Sequence, residues 1–224
     1  MVRRCVMEPL IQSILFIGQG LVFTIQLLIT GVLVGFSLGT VWAICRHQSI
    51  GKALINRFIS VVRGTPLLLQ LSLIYFSTPT LTGLHLSILV AGIITFGLNS
   101  SAYFAEILRS GIESLPKGQF EAAATLHIPT FYLWKDIILP QVLKNIFPAM
   151  VNEVISLLKE TALISTIGGM DIMRNAESLG AEQFTYFLPL CIAGGYYYGL
   201  VLLIEAVGKQ IEKRGQYAST SQCV

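Results

Sequence analysis

Ionisable and hydrogen-bonding side chains are scarce in this sequence, and the most unusual group lies inside an apolar stretch near the middle of the second half. Asn145, Asn152, Glu153, Ser156, Lys159 and Glu160 interrupt a run that is otherwise Ile, Leu, Val, Phe, Met, Ala and Pro. On a helix of 3.6 residues per turn, positions 145, 149, 152, 153, 156 and 160 form one stripe, so the run predicts a polar lane down an apolar helix. A carboxylate in a medium of low dielectric needs a cationic or hydrogen-bonding partner. Glu153 is therefore a candidate receptor for a cationic ligand, with Asn152, Ser156 and Glu160 beside it. For Lys159 and Glu160 mutual neutralisation near a membrane interface is an equal reading. A second candidate is Gly64-Thr65-Pro66. Proline has no N–H and disfavours helix in the residue before it, so Gly64 and Thr65 could offer unwound backbone to a polar ligand. A proline in the first turn of an ordinary helix explains the same letters.

The elements that would hold these groups are set by composition. Of 224 residues, 54% are hydrophobic and only 12% charged, about half the charge of a typical soluble domain. The charge is confined to short stretches between long apolar runs, the pattern of a chain whose solvent is lipid. No charged residue occurs between Glu8 and Arg46, or from Gly64 to Ala105. With about 20 residues per crossing, the sequence predicts an all-α integral membrane protein with five core transmembrane helices, near 21–44, 58–77, 86–107, 138–167 and 186–207. Gly18 and Gly20 are expected to set off a short interfacial helix at 10–17. Thr78-Pro79 and Gly83 are expected to turn the chain between spans two and three. The domain reading is an N-terminal interfacial segment over 1–19, a transmembrane domain over 20–210 and a C-terminal tail over 211–224.

Lys and Arg set the orientation, because cations stay on the cytoplasmic side. Arg46, Lys52, Arg57, Arg63, Arg109, Lys117, Lys135, Lys209, Lys213 and Arg214 fall on one side, against Arg3, Arg4 and Arg174 on the other. Five spans with a cytoplasmic C-terminus place the N-terminus outside, in a multi-pass protein of the bacterial inner membrane. No cleavable leader is discernible, so the N-terminus is read as retained. Net charge is only +3, with no polybasic arm for nucleic acid. The four cysteines are scattered and form no metal-ligand or disulfide pattern. No phosphate-binding loop, HExxH or GxSxG is present, so neither catalysis nor a resident metal or cofactor is expected. Gly195-Tyr196-Tyr197-Tyr198-Gly199 lacks the surroundings of an ion filter and reads as packing, as do Asn99, Ser100 and Ser101.

Between spans three and four the chain is too long for a plain turn. Pro116 and Gly118 break it, Glu121 to Leu126 favour a short helix, and Pro129 stops that helix. Glu121-Ala122-Ala123 followed by Leu126, His127 and then Ile137-x-Leu139-Pro140 resembles the EAA loop of type I ABC importer permeases. Arg63-Gly64-Thr65-Pro66-Leu67-Leu68-Leu69-Gln70, Ala102-Tyr103-Phe104-Ala105-Glu106 with Arg109-Ser110-Gly111-Ile112, Lys117-Gly118-Gln119, Leu139-Pro140-Gln141 and Lys159-Glu160-Thr161-Ala162-Leu163 are similar to blocks of the polar amino acid branch. The resemblance implies a type I permease fold whose cytoplasmic coupling helix, through Glu121, Ala122, Ala123, Leu126 and His127, docks on a separate ATPase that holds the ATP and magnesium. It further implies a second permease subunit, an extracytoplasmic amino-acid-binding protein, and a polar amino acid as substrate. With Glu153, that points to arginine, lysine or histidine, the alternative being glutamine or another neutral or acidic amino acid. An ATP-independent secondary transporter would need internally repeated spans, which are not evident. One residue departs from the pattern: His127 stands where the family has glycine, and a non-glycine residue at positive φ is uncommon, so either the turn after the coupling helix is rebuilt or the groove of the partner ATPase differs.

Overall fold

A computed structural model describes the backbone of residues 2–220 and the side chains of residues 10–213. Among the described residues there is no strand. The helices are α1 (Val2–Gly18), α2 (Gly20–His47), α3 (Lys52–Gly64), α4 (Leu67–Ser72), α5 (Thr78–Thr82), α6 (Ile88–Glu113), α7 (Lys117–Thr125), α8 (Thr130–Tyr132), α9 (Leu139–Glu160), α10 (Ile172–Glu182) and α11 (Phe187–Thr220). Wide π-helical turns at Leu73–Ser77 and Leu133–Ile138 join α4 to α5 and α8 to α9, and a 3₁₀ segment, Thr161–Ile167, follows α9.

Three stretches are long and apolar enough to cross a membrane: Leu10–His47, Ile88–Glu113 and Phe187–Lys213. A fourth is a broken pair, Lys52–Gly64 with Leu67–Thr82, bent by 104°. The other long helix, α9, is not among them. Its 22 residues span about 33 Å at 1.5 Å each, but the polar lane keeps it from standing out by composition.

The contact that organises these helices is α2 against α6. Gly20, Thr24, Leu27, Gly31, Gly35, Gly39 and Ala43 form the buried stripe of α2. A Cβ on Gly35 would lie 2.7 Å from Ser100 Cβ, and one on Gly39 would lie 2.7 Å from Phe104 Cβ and 2.8 Å from Ser101 O. Small residues at this spacing let two backbones approach until dispersion contacts saturate, which drives helix association in lipid. On its other sides α6 receives α3 and α9, and α9 in turn packs on α11. Gly111 of α6 allows the second close approach, since a Cβ there would meet Ile146 Cγ2 at 2.1 Å.

The structure corrects several expected boundaries. Gly18 and Gly20 do not bend the chain out of helix. Gln19 keeps helical angles (φ −59°, ψ −29°), and the apolar stretch runs on from Leu10 to His47. The two glycines serve contact instead: Gly18 faces the Tyr196 hydroxyl, and a Cβ on Gly20 would fall 2.3 Å from the Asp171 carbonyl carbon. The second expected span, 58–77, is broken within its length, because Thr65 is extended (φ −116°, ψ 143°) ahead of Pro66, as pre-proline sterics require. Residues 52–64 form the separate α3, which lays Ile55 and Ile59 on Ala102 and Ala105 of α6. Thr78-Pro79 does not turn the chain, since Pro79 falls in the first turn of α5, where its missing N–H costs nothing. Gly83 (φ 73°) makes the turn. The fourth expected span ends as an α-helix at Glu160, and α10 beyond it falls in no expected span. In the expected tail α11 continues to Thr220, and residues 221–224 lie outside the described residues.

The glycine stripe yields a direct test. Gly39→Leu should destabilise the protein by about 1–3 kcal/mol or prevent folding, because the added atoms meet backbone. Gly194→Ala, which meets nothing within 4 Å, should leave the melting temperature in detergent unchanged. Equal melting temperatures for the two variants would remove the α2–α6 contact from its central place.

Candidate functional site

The polar lane of α9 is real and divides into two sides. Asn145, Asn152, Ser156 and Lys159 are exposed, with the Asn145 amide reaching Ser114 Oγ at 3.4 Å, whereas Glu153 and Glu160 are half-buried. The Ser100 hydroxyl, from the middle of α6, donates a 2.8 Å hydrogen bond to Glu153 Oε1. The small residue on α2 is what seats that serine: Ser100 Cβ occupies the place a side chain at position 35 would take. Ser100 is fully buried, so the carboxylate is held by a neutral hydroxyl from within the bundle.

The expected unwinding at Gly64-Thr65-Pro66 is present, but the carbonyls it frees are already used. Gln70, one turn into α4, donates its side-chain amide to Val62 O (2.8 Å), Thr65 O (3.1 Å) and Thr65 Oγ1 (2.9 Å). Buried polar backbone must be answered, and here the chain answers it internally. Thr65 Oγ1 further donates to Val61 O at 2.9 Å. Gly64 faces open space. The break thus acts as a braced corner.

The block around Glu106 has a function that its letters alone did not show. Arg46 from the end of α2, Arg63 from the end of α3 (3.7 Å) and Arg109 of α6 (2.8 Å) converge on the Glu106 carboxylate. Arg109 also pairs with Glu113. Arg63 lies over the Tyr103 ring, 5.2 Å from its centroid, within the range of a cation–π attraction. One half-buried carboxylate therefore ties the ends of three helices together at the start of the corner. The signal in the sequence was an acidic residue three positions before an arginine on a predicted helix, which is commonplace; its partners at 46 and 63 could not be inferred.

At the opposite end of the chain's course, a buried polar knot also escaped the sequence reading. Asp171 is fully buried. It accepts the Arg174 N–H (2.9 Å) and the Tyr197 hydroxyl (3.0 Å), while the Ile172 N–H reaches Thr24 Oγ1 at 3.4 Å and the Asn175 amide donates to Phe16 O at 3.1 Å. These bonds join α1, α2, α10 and α11, and they give Tyr197 a packing role with a polar anchor.

The loop helix is α7. Ala123 is its buried residue, so Ala123 faces its own chain. Glu121, Ala122, Ala124, Thr125, Leu126 and His127 are exposed, with Leu126 71% accessible. His127 takes the left-handed conformation itself, at φ 52°. Its N–H donates to Ala124 O (3.2 Å) and the Ile128 N–H donates to Ala123 O (3.0 Å), closing the helix end as glycine would. The turn is not rebuilt, and a 3.1 Å contact between His127 Nδ1 and Thr125 O accompanies it. Among the described residues no group of three or more His, Cys, Asp and Glu could hold a metal.

Residues 12–215 match the family described as the binding-protein-dependent transport system inner membrane component. The chain is 47% identical over 204 residues to the putative glutamine transport system permease protein of Rickettsia typhi, covering 90% of this chain and 94% of that one. It is 42% identical over 206 residues to the arginine transport system permease protein of Bacillus subtilis, covering 91% and 94%. Among solved structures, an amino acid ABC transporter determined with histidines matches with a TM-score of 0.86 at 35% identity, over 92% of this chain and 97% of that one.

A left-handed residue costs about 1–2 kcal/mol when it carries a Cβ. His127→Gly should therefore leave α7 intact or firmer, whereas the β-branched His127→Val should fray it. Limited proteolysis between Lys117 and Lys135 reads this directly, with faster nicking expected for valine alone. Equal nicking rates in the two variants would show that the turn does not depend on this residue.

Proposed function

The chain belongs to the binding-protein-dependent transport system inner membrane components, the membrane-embedded permease subunits of ABC importers, whose ATPase is a separate chain, and on that premise we propose the following roles for its parts. It is an amino acid permease subunit and not an enzyme. In our reading its substrate is a cationic amino acid, α7 is the coupling helix gripped by the ATPase, and the end of the bundle bearing Arg46, Arg63, Arg109 and α7 faces the cytoplasm. The reading places the N-terminus outside and the C-terminus inside. A second permease subunit covers the exposed side of the α9 lane, and a binding protein delivers the amino acid from the other side of the membrane. ATP and magnesium stay with the ATPase.

One observation carries the substrate class. Glu153 stands at membrane depth on α9 with a serine hydroxyl for its hydrogen-bond partner. An acid in that position is costly and marks a transport pathway more often than a structural tie. The guanidinium of arginine, the ammonium of lysine or the imidazolium of histidine would supply the charge that the serine does not. Asn152 and Ser156, on the open side of the same helix, are suited to the polar ends of the ligand, with Glu160 one to two turns further along. Gly64 and Thr65 are weaker candidates than their letters suggested, since Gln70 occupies the backbone groups nearby. A second reading, glutamine as substrate, is favoured by the name of the Rickettsia typhi relative.

Uptake by the full complex in vesicles separates the two. Excess unlabelled lysine or histidine should suppress radiolabelled arginine import, and glutamine should not. Glu153→Gln should lower arginine import about tenfold, the size of one charge-assisted hydrogen bond. A Glu153→Gln protein that imports arginine with unchanged preference over glutamine would refute the assignment.

The docking role has its own test. Ala122 is exposed and Ala123 is not, so a cysteine at Ala122 should crosslink to the ATPase in native membranes and one at Ala123 should do so poorly. Failure at both positions would mean that α7 is a connector only.

A further inference from the structure

We propose that Gln119 and Gln141 are positioning residues for energy transfer: their paired amides lock α7 to the start of α9, so that the two elements move as one body. The inference rests on the reading of α7 as the helix the ATPase grips.

Gln119 Nε2 donates to Gln141 Oε1 at 3.0 Å, and Gln141 Nε2 donates back to Gln119 Oε1 at 3.1 Å. Gln141 Nε2 also donates to Ile137 O at 2.8 Å, which fixes its own side chain to the helix that carries it. Two reciprocal bonds between planar amides define both a separation and a relative orientation. The other attachments of α7 cannot do this. Its nine residues bury Ala123, and Phe120 meets Trp134 edge-on with 6.4 Å between ring centroids. Apolar contact is non-directional and leaves the helix free to roll or slide. A nine-residue helix bounded by Pro116 and Pro129 is also marginal by itself, so its direction must be imposed from outside.

What the amides attach it to matters as much. Gln141 lies in the first turn of α9, the helix that carries Glu153. The two residues are 12 positions apart, about 18 Å along α9, with Pro148 between them. A displacement of α7 that keeps both amide bonds is thus delivered to the foot of the polar lane. The pair is neutral, so it holds at the membrane edge without the desolvation cost of an ion pair.

The test uses the full complex reconstituted in vesicles and reads amino acid imported per ATP hydrolysed. Gln119→Leu and Gln141→Leu should each lower that ratio at least fivefold while the ATPase still co-purifies in normal amount. The double variant Gln119→Glu with Gln141→Lys, which rebuilds a directional bond across the same gap, should recover half of the loss or more. A merely structural role would reduce assembly and leave the ratio alone, so an unchanged ratio in Gln119→Leu overturns the proposal, as does a loss that the rebuilt pair fails to recover. An independent measurement needs no transport. Spin labels at Thr125→Cys and Leu143→Cys, in a background without the native cysteines, should report one distance with and without ATP, and a broadened one in Gln119→Leu. If that distance changes with ATP while both glutamines are present, the proposal fails. If the unsubstituted complex imports no amino acid but the distances behave as described, the substrate reading fails and the lock stands.

Discussion

Two helices approach as closely as backbone atoms permit, and most of what this bundle can do follows from that approach. Lipid supplies no hydrophobic force to press α2 on α6, so their union depends on contact alone. Gly35 and Gly39 make it possible by removing the atoms that would collide with Ser100 and Phe104. Once α6 is seated in that groove, its remaining faces are committed. One takes α3 through Ala102 and Ala105, another takes α9 at Gly111 and Ile146, and the same helix carries Ser100 to Glu153 and Glu106 to its three arginines. A side chain larger than hydrogen on α2 would shift every one of these together.

The second constraint is that polar groups buried in the bundle must find their partners within protein. The chain meets it in three different ways. At the Pro66 corner, Gln70 takes up the carbonyls that the broken helix releases. At Glu106, arginines from three elements surround one acid. At Asp171, a tyrosine hydroxyl and a backbone N–H serve in place of a cation. Glu153 differs from all three. Its one hydrogen-bond partner among the described residues is a serine hydroxyl, with the charge of Arg63 acting on it without a hydrogen bond, and Asn152 and Ser156 beside it lie open; that difference is the physical basis for proposing it as a receptor and the others as ties.

How much of this was readable in the letters depends on whether the cause was local. Composition and run length gave the helical membrane class, and the EAA-like block gave the position of a short helix between Pro116 and Pro129. His127 was recognisable as a strained position because the need for a left-handed residue is a property of one turn. The polar lane followed from the 3.6 period. Pairings between distant segments were not readable. Arg46 and Glu106 are 60 positions apart, and Thr24 and Ile172 are 148 apart; nothing in either residue type announces the other. The misplaced boundaries share a cause. Gly18, Gly20 and Pro79 read as breaks because they are weak helix formers, yet the glycines sit where neighbouring elements come close and the proline sits in a first turn. Propensity lost to packing at each.

The arrangement of α9 brings these strands together. One end is tied to α7 by the amides of Gln119 and Gln141, its middle carries Pro148 and then Glu153, and its far end runs into the 3₁₀ segment that leads to the Asp171 knot. Pro148 removes one hydrogen bond from the helix interior, so the rod is most compliant between the tied end and the acid. The Asp171 knot binds α1, α2, α10 and α11 at the other end. A helix anchored at both ends and softened between them responds to a push at one end by changing its tilt where it is softest, and Glu153 lies just beyond that point. If α7 is the coupling helix we propose, its movement becomes a change in how Glu153 meets Ser100.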